Sequence, residues 1–232
     1  MIGAATMNRR NRTVWRNLWR KERRLWNEVQ MDSIYARQYD DHWGAAISDS
    51  HRAMVERLLD HCPPHARVLD AACGTGKYWP LLLERGCTML GTDQSREMLT
   101  RANAKFPVVA TQHVGLQELA FADEFDAAIC MDAMENVFPE DWPVVLGNLR
   151  HALHDGGWLL FTVEVESEEE LRIALEAGMR LGLPLVRGEY AHHGGYHFYP
   201  TDAQVRGWMT DARLTLSEMT EGDGYRHYLT HA

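Results

Sequence analysis

The chain has 232 residues, of which 45% are hydrophobic, and this is enough apolar material for one substantial core. Its net charge of -9 disfavours general binding to phosphate backbones and anionic membranes, so we expect neither nucleic acid nor a membrane as partner. No apolar run approaches the roughly 20 residues that span a bilayer, and the four cysteines lack the spacing of zinc or disulfide frameworks, which favours a cytoplasmic protein.

The N-terminal segment is basic, with eight basic and two acidic residues among the first 30. Between residues 8 and 30 the apolar side chains, Trp15, Trp19 and Trp26 among them, recur at helical spacing and predict an amphipathic helix. The basic face of this helix could bind an anionic membrane or nucleic acid. Alternatively, the helix could pack its tryptophans on the domain or on a second subunit. We favour packing, and we expect residues 1–33 to form an extension through which the chain could form a homodimer.

Strands and helices alternate after a second predicted helix at residues 49–62. Apolar runs predict strands, and amphipathic or cap-flanked runs predict helices between them. Strands of this kind, separated by helices, indicate a mostly parallel sheet covered on both faces. The strands are predicted at residues 67–72, 88–93, 111–114, 125–131 and 157–165, and the helices between them at 77–85, 95–105 and 140–154.

The C-terminal part adds two more helices, at residues 167–181 and 202–211, and a loop-like insertion at 184–200 between them. Two strand-like runs, 214–219 and 225–230, are close enough in sequence to form an antiparallel hairpin at the sheet edge. The sequence therefore predicts an α/β fold with a doubly wound, Rossmann-like sheet over residues 34–232, in which the 184–200 insertion acts as a lid.

A glycine-containing turn follows the first predicted strand, in the run Val-Leu-Asp-Ala-Ala-Cys-Gly-Thr-Gly-Lys at residues 68–77. Small residues are needed where the backbone must approach a ligand closely, and Gly74 and Gly76 also allow dihedral angles that a side chain disfavours. Such a turn alone does not select one ligand, because several nucleotides, NAD included, bind to related turns.

An acidic residue, Asp93, ends the next predicted strand. A carboxylate at this position can accept hydrogen bonds from both hydroxyls of a ribose. The alternative is a purely local role, in which the Asp93 carboxylate interacts favourably with the dipole at the N-terminus of the following helix and Ser95 caps that helix. With the glycine turn before it, Asp93 indicates a nucleoside site across two strand ends.

Residues 68–77 together with 91–95 resemble the first and second motifs of the class I S-adenosylmethionine-dependent methyltransferases, and the likeness extends over residues 35–232. The family pattern has a glycine where this chain has Ala72. In the family an Asp often follows the third strand and contacts the adenine, whereas this chain has Gly115 there, so we expect adenine contacts from the neighbouring residues.

The resemblance implies S-adenosylmethionine as methyl donor and S-adenosylhomocysteine as product. It further implies that Asp70 orients the loop near the methionine amino group, that Asp93 holds the ribose, and that Tyr39, in an N-terminal helix, faces the methionine end. The cofactor-binding residues expected on this basis are Tyr39, Asp70, Ala72, Cys73, Gly74, Gly76, Asp93, Gln94, Met98, Leu116, Gln117 and Met131.

Three residues are candidates for the catalytic base. Glu135 follows the fourth predicted strand, where the family keeps substrate-binding and catalytic residues, although a solvated loop carboxylate is an equal alternative. His193 and His197 lie in a stretch rich in histidine and tyrosine, and either could accept a proton near neutral pH. We expect no metal there, because the loop does not supply an evident third and fourth ligand.

These features favour a methyltransferase that acts on an oxygen, nitrogen or carbon nucleophile of a small-molecule metabolite. Two alternatives stay open. One is an NAD-dependent oxidoreductase on a related Rossmann fold. The other is a protein that binds S-adenosylmethionine and catalyses no methyl transfer.

Overall fold

The computed structural model describes residues 9–44, 46–192 and 195–232. Residues 1–8 of the predicted extension and the candidate base His193 lie outside this part of the chain. The strands are β1 (Arg67–Ala71), β2 (Thr88–Asp93), β3 (Ala110–His113), β4 (Phe125–Cys130), β5 (Leu153–Glu164), β6 (Glu189–His192), β7 (Gly195–Phe198), β8 (Thr215–Gly222) and β9 (Tyr225–His231).

Seven of these strands form one sheet in the order β3-β2-β1-β4-β5-β9-β8. The strands from β3 to β5 are parallel, and β9 is antiparallel to both β5 and β8. The chain reverses its direction of travel between β1 and β4, which is the kind of position where open α/β sheets bind ligands. The predicted Rossmann-like sheet with an antiparallel C-terminal hairpin is confirmed.

Eight α-helices accompany the described strands. Four of them begin at a Ser or Thr whose hydroxyl accepts the backbone N–H three residues on, which satisfies a donor that a helix N-terminus leaves unpaired. The helices are α1 (Arg9–Gln30), α2 (Ala36–Tyr39), α3 (Asp49–Asp60), α4 (Trp79–Glu84), α5 (Arg96–Lys105), α6 (Trp142–Ala152), α7 (Glu168–Arg180) and α8 (Asp202–Asp211).

The N-terminal helix is longer than predicted. A π-helical segment, Met31–Tyr35, joins α1 to α2, and a second one, Asp40–Gly44, follows α2. The residues at the junctions, Gln30, Tyr35 and Ala36, keep right-handed helical dihedral angles, so the helix crosses residue 33 without a break. The predicted division at residues 33 and 34 therefore falls inside a continuous helical stretch.

This helix packs on the α/β body through Trp19, which is 2% exposed and makes edge-to-face contacts with Phe138 and Tyr196. Apolar side chains bury on both faces of the sheet, in one cluster that contains Trp19 and α6 and another that contains α3 and α4. The interpretation that the tryptophan stripe packs inward thus holds for Trp19. None of the helices in the described ranges is long and apolar enough to cross a membrane.

The segment predicted as a loop-like insertion, residues 184–200, contains the antiparallel hairpin β6–β7 instead. The prediction of a loop was wrong because the polar and glycine-rich sequence hid the alternation of buried and exposed positions. Tyr196 and Phe198 are buried, whereas Gly195 is exposed and His197 is half-buried between them.

Candidate functional site

Polar side chains from several strands gather at the carboxyl edge of the sheet. The parallel strands β1, β2, β4 and β5 end there, and β9, which runs the other way, begins there. The strand ends thus bring together residues that are far apart in sequence, including Asp93, Asp132, Glu164 and Tyr225. Two adjoining cavities lie at this edge.

The glycine turn and Asp93 are joined directly. The Asp93 carboxylate accepts the Gly74 backbone N–H at 2.9 Å and the Ser95 backbone N–H at 2.8 Å. Gly74 and Ala72 both have positive φ, of 54° and 61°, so the turn needs the left-handed backbone that small residues tolerate best. Each carboxylate oxygen keeps a further lone pair for a hydroxyl group, and Asp93 faces the first cavity.

Eight of the twelve predicted cofactor-binding residues line this first cavity, which we call the cofactor cleft. Polar groups from the strand ends form one part of its wall, and apolar side chains from the α5 and β3 regions form another. The eight residues are Tyr39, Ala72, Gly74, Asp93, Gln94, Met98, Leu116 and Gln117.

The other four predicted residues lie outside the lining of the cleft. Asp70 is buried beneath the turn and accepts a hydrogen bond from the Trp79 indole at 2.7 Å. Burial raises the pKa of Asp70 to about 7, although the Trp79 bond acts in the opposite direction. Cys73 and Met131 are buried in the apolar cluster that contains Trp79.

Gly76 faces the same tryptophan. A Cβ atom on Gly76 would come within 2.7 Å of the Trp79 ring, so the side chain at this position must be absent for the indole to fit. Its φ of 80° is a second reason for glycine. The structure therefore gives Gly76 a role in packing the turn onto the sheet.

The basic N-terminal helix also covers the cofactor cleft, a contribution that we predicted only for the segment around Tyr39. Arg24, Asn27 and Met31 belong to the cleft lining. Arg24 pairs with Glu118 at 2.7 Å on the opposite side, and Asp32 accepts the Ser95 hydroxyl at 2.5 Å. The helix is therefore fixed at both ends of its path over the cleft.

The second cavity, which we call the acceptor cavity, has a volume of about 500 Å³ and adjoins the cleft at Tyr39, Asp132 and Asn136. Five aromatic side chains and several carboxylates surround it, so it suits a partly aromatic molecule with polar substituents. Its aromatic residues are Trp26, Tyr35, Tyr39, Tyr196 and Tyr225, and its acidic residues are Asp132, Glu135, Glu164 and Asp223.

The candidate base Glu135 lies in the acceptor cavity and is only 5% exposed. Its pKa is raised to about 8 because burial disfavours the charged form, and the nearby charges of Asp132 and Glu164 add to this effect. One carboxyl oxygen contacts the Asn136 side chain at 3.3 Å, and the other has no hydrogen-bond partner among the described residues. Glu135 is thus a largely protonated carboxyl group at neutral pH that faces the cavity.

The other candidate base, His197, also lines the acceptor cavity, at a position half-buried on β7. Burial lowers its pKa, but the hydrogen bond to the Glu164 carboxylate at 3.0 Å is the largest influence in the opposite direction, and the net shift is upward. The upward shift makes the imidazole of His197 more basic than a free histidine, and the ring is engaged by the Glu164 carboxylate.

Sequence reasoning missed a histidine and an aspartate that face the same cavity. The His51 ring, on α3, places Nε2 at 2.9 Å from an Asp132 oxygen, and its Nδ1 contacts the Ser48 hydroxyl. Asp132 also accepts hydrogen bonds from the Tyr78 hydroxyl at 2.8 Å and from Lys77 at 3.2 Å. No local motif links these residues, because α3 precedes β1 and Asp132 follows β4.

The electrostatics of this group are opposite to those of Glu135. Burial alone would raise the pKa of Asp132, but the His51 and Tyr78 hydrogen bonds and the Lys77 charge lower it to about 2. The φ of 52° at Asp132 is unusual for a residue other than glycine, and the Thr162 hydroxyl holds the Asp132 backbone N–H at 2.8 Å. Asp132 is therefore a permanent anion at the mouth of the cofactor cleft.

Comparison with known proteins bears on the chemistry of this site. The family described as methyltransferase domain matches residues 68–157. The malonyl-[acyl-carrier protein] O-methyltransferase of Erwinia pyrifoliae is 31% identical over 134 residues, which cover 56% of this chain and 48% of that protein. The ubiquinone biosynthesis O-methyltransferase of Methylococcus capsulatus is 27% identical over 165 residues, which cover 68% of this chain and 67% of that protein.

A solved structure shows the same fold at low identity. It is the Burkholderia thailandensis 1,6-didemethyltoxoflavin-N1-methyltransferase with bound S-adenosylhomocysteine, at a TM-score of 0.69 and 18% identity, over 91% of this chain and 89% of that chain. Three curated relatives are matched over less than half of their own length. The methyltransferase domain match thus covers residues 68–157, and the sheet order of the described chain is that of a doubly wound α/β fold.

Proposed function

We propose that the protein transfers the methyl group of S-adenosylmethionine to an oxygen, nitrogen or carbon nucleophile of a small molecule. The observation that carries the proposal is the adjacency of two cavities at the carboxyl edge of the sheet, which share Tyr39, Asp132 and Asn136. A methyl group held at their junction would be reached by an acceptor in the larger cavity.

The residues of the cofactor cleft fit an adenosyl ligand. Asp93 offers carboxylate lone pairs to the ribose hydroxyls, and Gly74 leaves room for the backbone approach that such a ligand needs. Met98 and Leu116 provide apolar surface for a purine ring. The Tyr39 ring would lie 3.9 Å from a Cβ atom placed on Gly74, so it faces the glycine across the cleft. These are features of this chain's own residues and do not depend on the names of its relatives.

S-adenosylmethionine, when bound, supplies an activated methyl group, so the protein's task is to hold the acceptor in line at close range and to exclude water. The N-terminal helix covers the cleft, and Trp26 and Tyr35 extend this cover over the acceptor cavity. The buried Glu135 can donate a hydrogen bond to an acceptor carbonyl or hydroxyl in its protonated form.

A small-molecule acceptor is supported by the size of the cavity and by two of the named proteins, one of ubiquinone biosynthesis and one acting on 1,6-didemethyltoxoflavin. The four free cysteines fit a reducing compartment, so we place the reaction in the cytoplasm. We also retain the proposal that two copies could pair through the N-terminal helix, where Leu18, Leu25 and Val29 are exposed.

Calorimetry with two ligands tests the cofactor assignment. We expect S-adenosylhomocysteine to bind and NADH not to bind at the same concentration. The reverse result would replace the proposal by the oxidoreductase alternative. Mass spectrometry of products, after incubation with S-adenosylmethionine and a panel of phenols, amines and carboxylic acids, then separates an enzyme from a protein that only binds the cofactor.

A further inference from the structure

The strongest unexplained feature of the acceptor cavity is the chain of polar contacts formed by Ser48, His51 and Asp132. All three residues line the cavity. The Ser48 hydroxyl contacts Nδ1 of His51, and Nε2 of the same ring lies 2.9 Å from Asp132. The tautomer with its proton on Nε2, on the Asp132 side of the ring, leaves the Nδ1 lone pair on the side of the Ser48 hydroxyl.

The surroundings hold the His51 ring in this orientation. His51 is 3% exposed, and the rings of Tyr225 and His227 contact it edge-on, at centroid distances of 4.9 and 4.8 Å. Tyr78 stacks on it from the turn after β1, at 6.2 Å. A histidine whose ring plane is held by its neighbours is suited to accept a proton from one direction only.

The charged and titratable groups that face His51 come from four elements. Asp132 approaches from the end of β4, and Tyr78 from the turn after β1, with Lys77 reaching His51 through Asp132. Tyr225 and His227 lie on β9, and Asp223 lies in the turn before it. The Asp132 carboxylate is the group in direct contact with Nε2, so it is the group that stabilises a charged ring.

We propose that His51 is the catalytic base of the acceptor cavity, with Ser48 as proton relay and Asp132 as positioning anion, and that the acceptor is a phenol or a similarly acidic aromatic hydroxyl. This inference rests on the proposed function. An acceptor hydroxyl must lose its proton during methyl transfer, whereas thioether or carbanion acceptors do not present an O–H proton to such a relay. The five aromatic side chains of the cavity suit an aromatic ring.

The charges of the cavity argue against a carboxylate acceptor. Its three basic side chains, Lys77, His51 and His197, each lie within 3.2 Å of a carboxylate, on Asp132 or Glu164. A carboxylate substrate would thus be repelled by the acidic side chains, because the basic side chains of the cavity are already paired with them. A neutral hydroxyl avoids this repulsion.

The proton moves from the acceptor through Ser48 to His51. The acceptor O–H bond breaks as its proton passes to the Ser48 oxygen, while the Ser48 proton passes to Nδ1 of His51. The phenolic oxygen forms the new O–CH₃ bond, and the electron pair of the broken S–CH₃ bond stays on sulfur as a neutral thioether. The positive charge then resides on the His51 imidazolium, beside Asp132, until water removes the proton.

A pair of acceptors separates the base from a structural role. One is phenol itself, whose pKa of about 10 leaves it protonated at neutral pH, and the other is 4-nitrophenol, assayed at a pH at which it is already ionised. We expect His51→Gln to lower turnover of phenol by about 10²-fold, and that of ionised 4-nitrophenol by far less, because no proton has to be removed. Equal losses for the two acceptors would overturn the assignment of His51 as base.

Two further readouts do not depend on turnover. Calorimetry should show that His51→Gln binds S-adenosylhomocysteine like the wild type, and ¹⁵N NMR of the wild-type protein should show Nδ1 unprotonated and Nε2 protonated in the neutral His51 ring. Nδ1 carrying the proton in the neutral ring would overturn the relay. The matched control is His154→Gln, which removes an exposed histidine that lies 3.0 Å from Asp123 outside both cavities and should leave all readouts unchanged.

The remaining outcomes are equally decisive. If wild-type protein does not bind S-adenosylhomocysteine, the proposed function itself fails. If it binds the cofactor product but methylates only amines or carboxylic acids from the panel, the phenol assignment fails and methyl transfer stands. If His51→Gln lacks the wild-type circular dichroism spectrum, Ser48→Ala takes its place, with the same expected difference between phenol and ionised 4-nitrophenol.

Discussion

At the scale of single residues, the acceptor cavity holds two carboxyl groups with opposite protonation states. Burial raises the pKa of Glu135 to about 8, whereas the contacts of Asp132 with His51, Lys77 and Tyr78 outweigh burial and lower its pKa to about 2. Neighbouring acids that differ in this way can take different roles, one as hydrogen-bond donor and one as anion. The difference arises from hydrogen-bond partners, because both groups are largely buried.

The raised pKa of Glu135 predicts a pH dependence of stability. The folded state binds the Glu135 proton more tightly than the unfolded state does, so this stabilisation is complete below the unfolded pKa of about 4.3 and is lost as pH rises toward 8. We expect the free energy of unfolding of wild type to fall between pH 5 and 8 relative to Glu135→Gln, with a difference in slope of about 1 kcal/mol per pH unit.

Urea denaturation at each pH measures this slope. Glu84→Gln, at an exposed position at the end of α4, serves as control and should keep the wild-type slope. Parallel curves for wild type and Glu135→Gln would show that Glu135 is ionised in the folded protein.

Asp93 supports a prediction about binding. Its carboxylate holds the glycine turn through Gly74 and faces the cofactor cleft. Asp93→Ala should weaken binding of S-adenosylhomocysteine by about 1–3 kcal/mol, the range for losing hydrogen bonds to a charged group. Calorimetry measures the change, and Asp126→Ala, at the opposite end of the sheet on β4, is the control. Unchanged affinity would contradict the ribose role of Asp93.

At the scale of elements, a buried ion pair fixes α1 to the hairpin β6–β7. The Arg16 guanidinium donates to both Glu189 oxygens, at 2.7 and 2.5 Å, and also to the Glu140 carboxylate at 2.8 and 3.0 Å. Glu189 is fully buried and also accepts the Tyr196 hydroxyl at 2.7 Å. The two elements that border the acceptor cavity are therefore held in one arrangement.

Removal of Arg16 tests this coupling. Arg16→Met leaves the Glu189 carboxylate buried without its cation, and we expect a loss of about 3–5 kcal/mol in the free energy of unfolding. Arg172→Met removes an exposed arginine on α7 that pairs with Glu169 and Glu176, and should cost less than about 1 kcal/mol. Denaturant titrations compare the two variants, and similar losses would show that the buried pair does not fix the helix.

At the scale of the whole molecule, arginines of the basic N-terminal segment pair with acidic residues elsewhere in the same chain. Arg16, Arg20 and Arg24 recur every four residues on one face of α1, and that face lies on acidic groups of the α/β body. The partners are Glu118, Glu140, Asp141 and Glu189. Three of the eight basic residues in the first 30 therefore dock the helix over the cleft, which supports the packing interpretation of the sequence.

We expect the helix docked over the cleft to move when a ligand enters and to be held in place by a bound ligand. We expect S-adenosylhomocysteine to slow amide hydrogen exchange in residues 24–39, because the closed state becomes more populated on binding. Helix α7, which lies outside the cleft lining, is the internal control and should exchange at the same rate with and without ligand. Unchanged exchange in residues 24–39 would show that this helix does not gate the cleft.

The doubly wound sheet, its antiparallel C-terminal hairpin and eight residues of the cofactor cleft could be predicted from the sequence alone. These follow from local signals, since strand periodicity, cap residues and the small-residue turn act within a few positions. Asp93 and Gly74 could be predicted as neighbours because parallel strands end at the same edge.

The residues that complete the acceptor cavity come together only in the folded chain. His51 meets Asp132 because α3 packs beside β5 and β9 while β4 ends next to them, and Arg16 meets Glu189 across 173 residues. No short-range pattern records such contacts. Hydrogen bonds and ion pairs between distant segments depend on how the helices pack on the sheet, and that packing is a property of the whole chain.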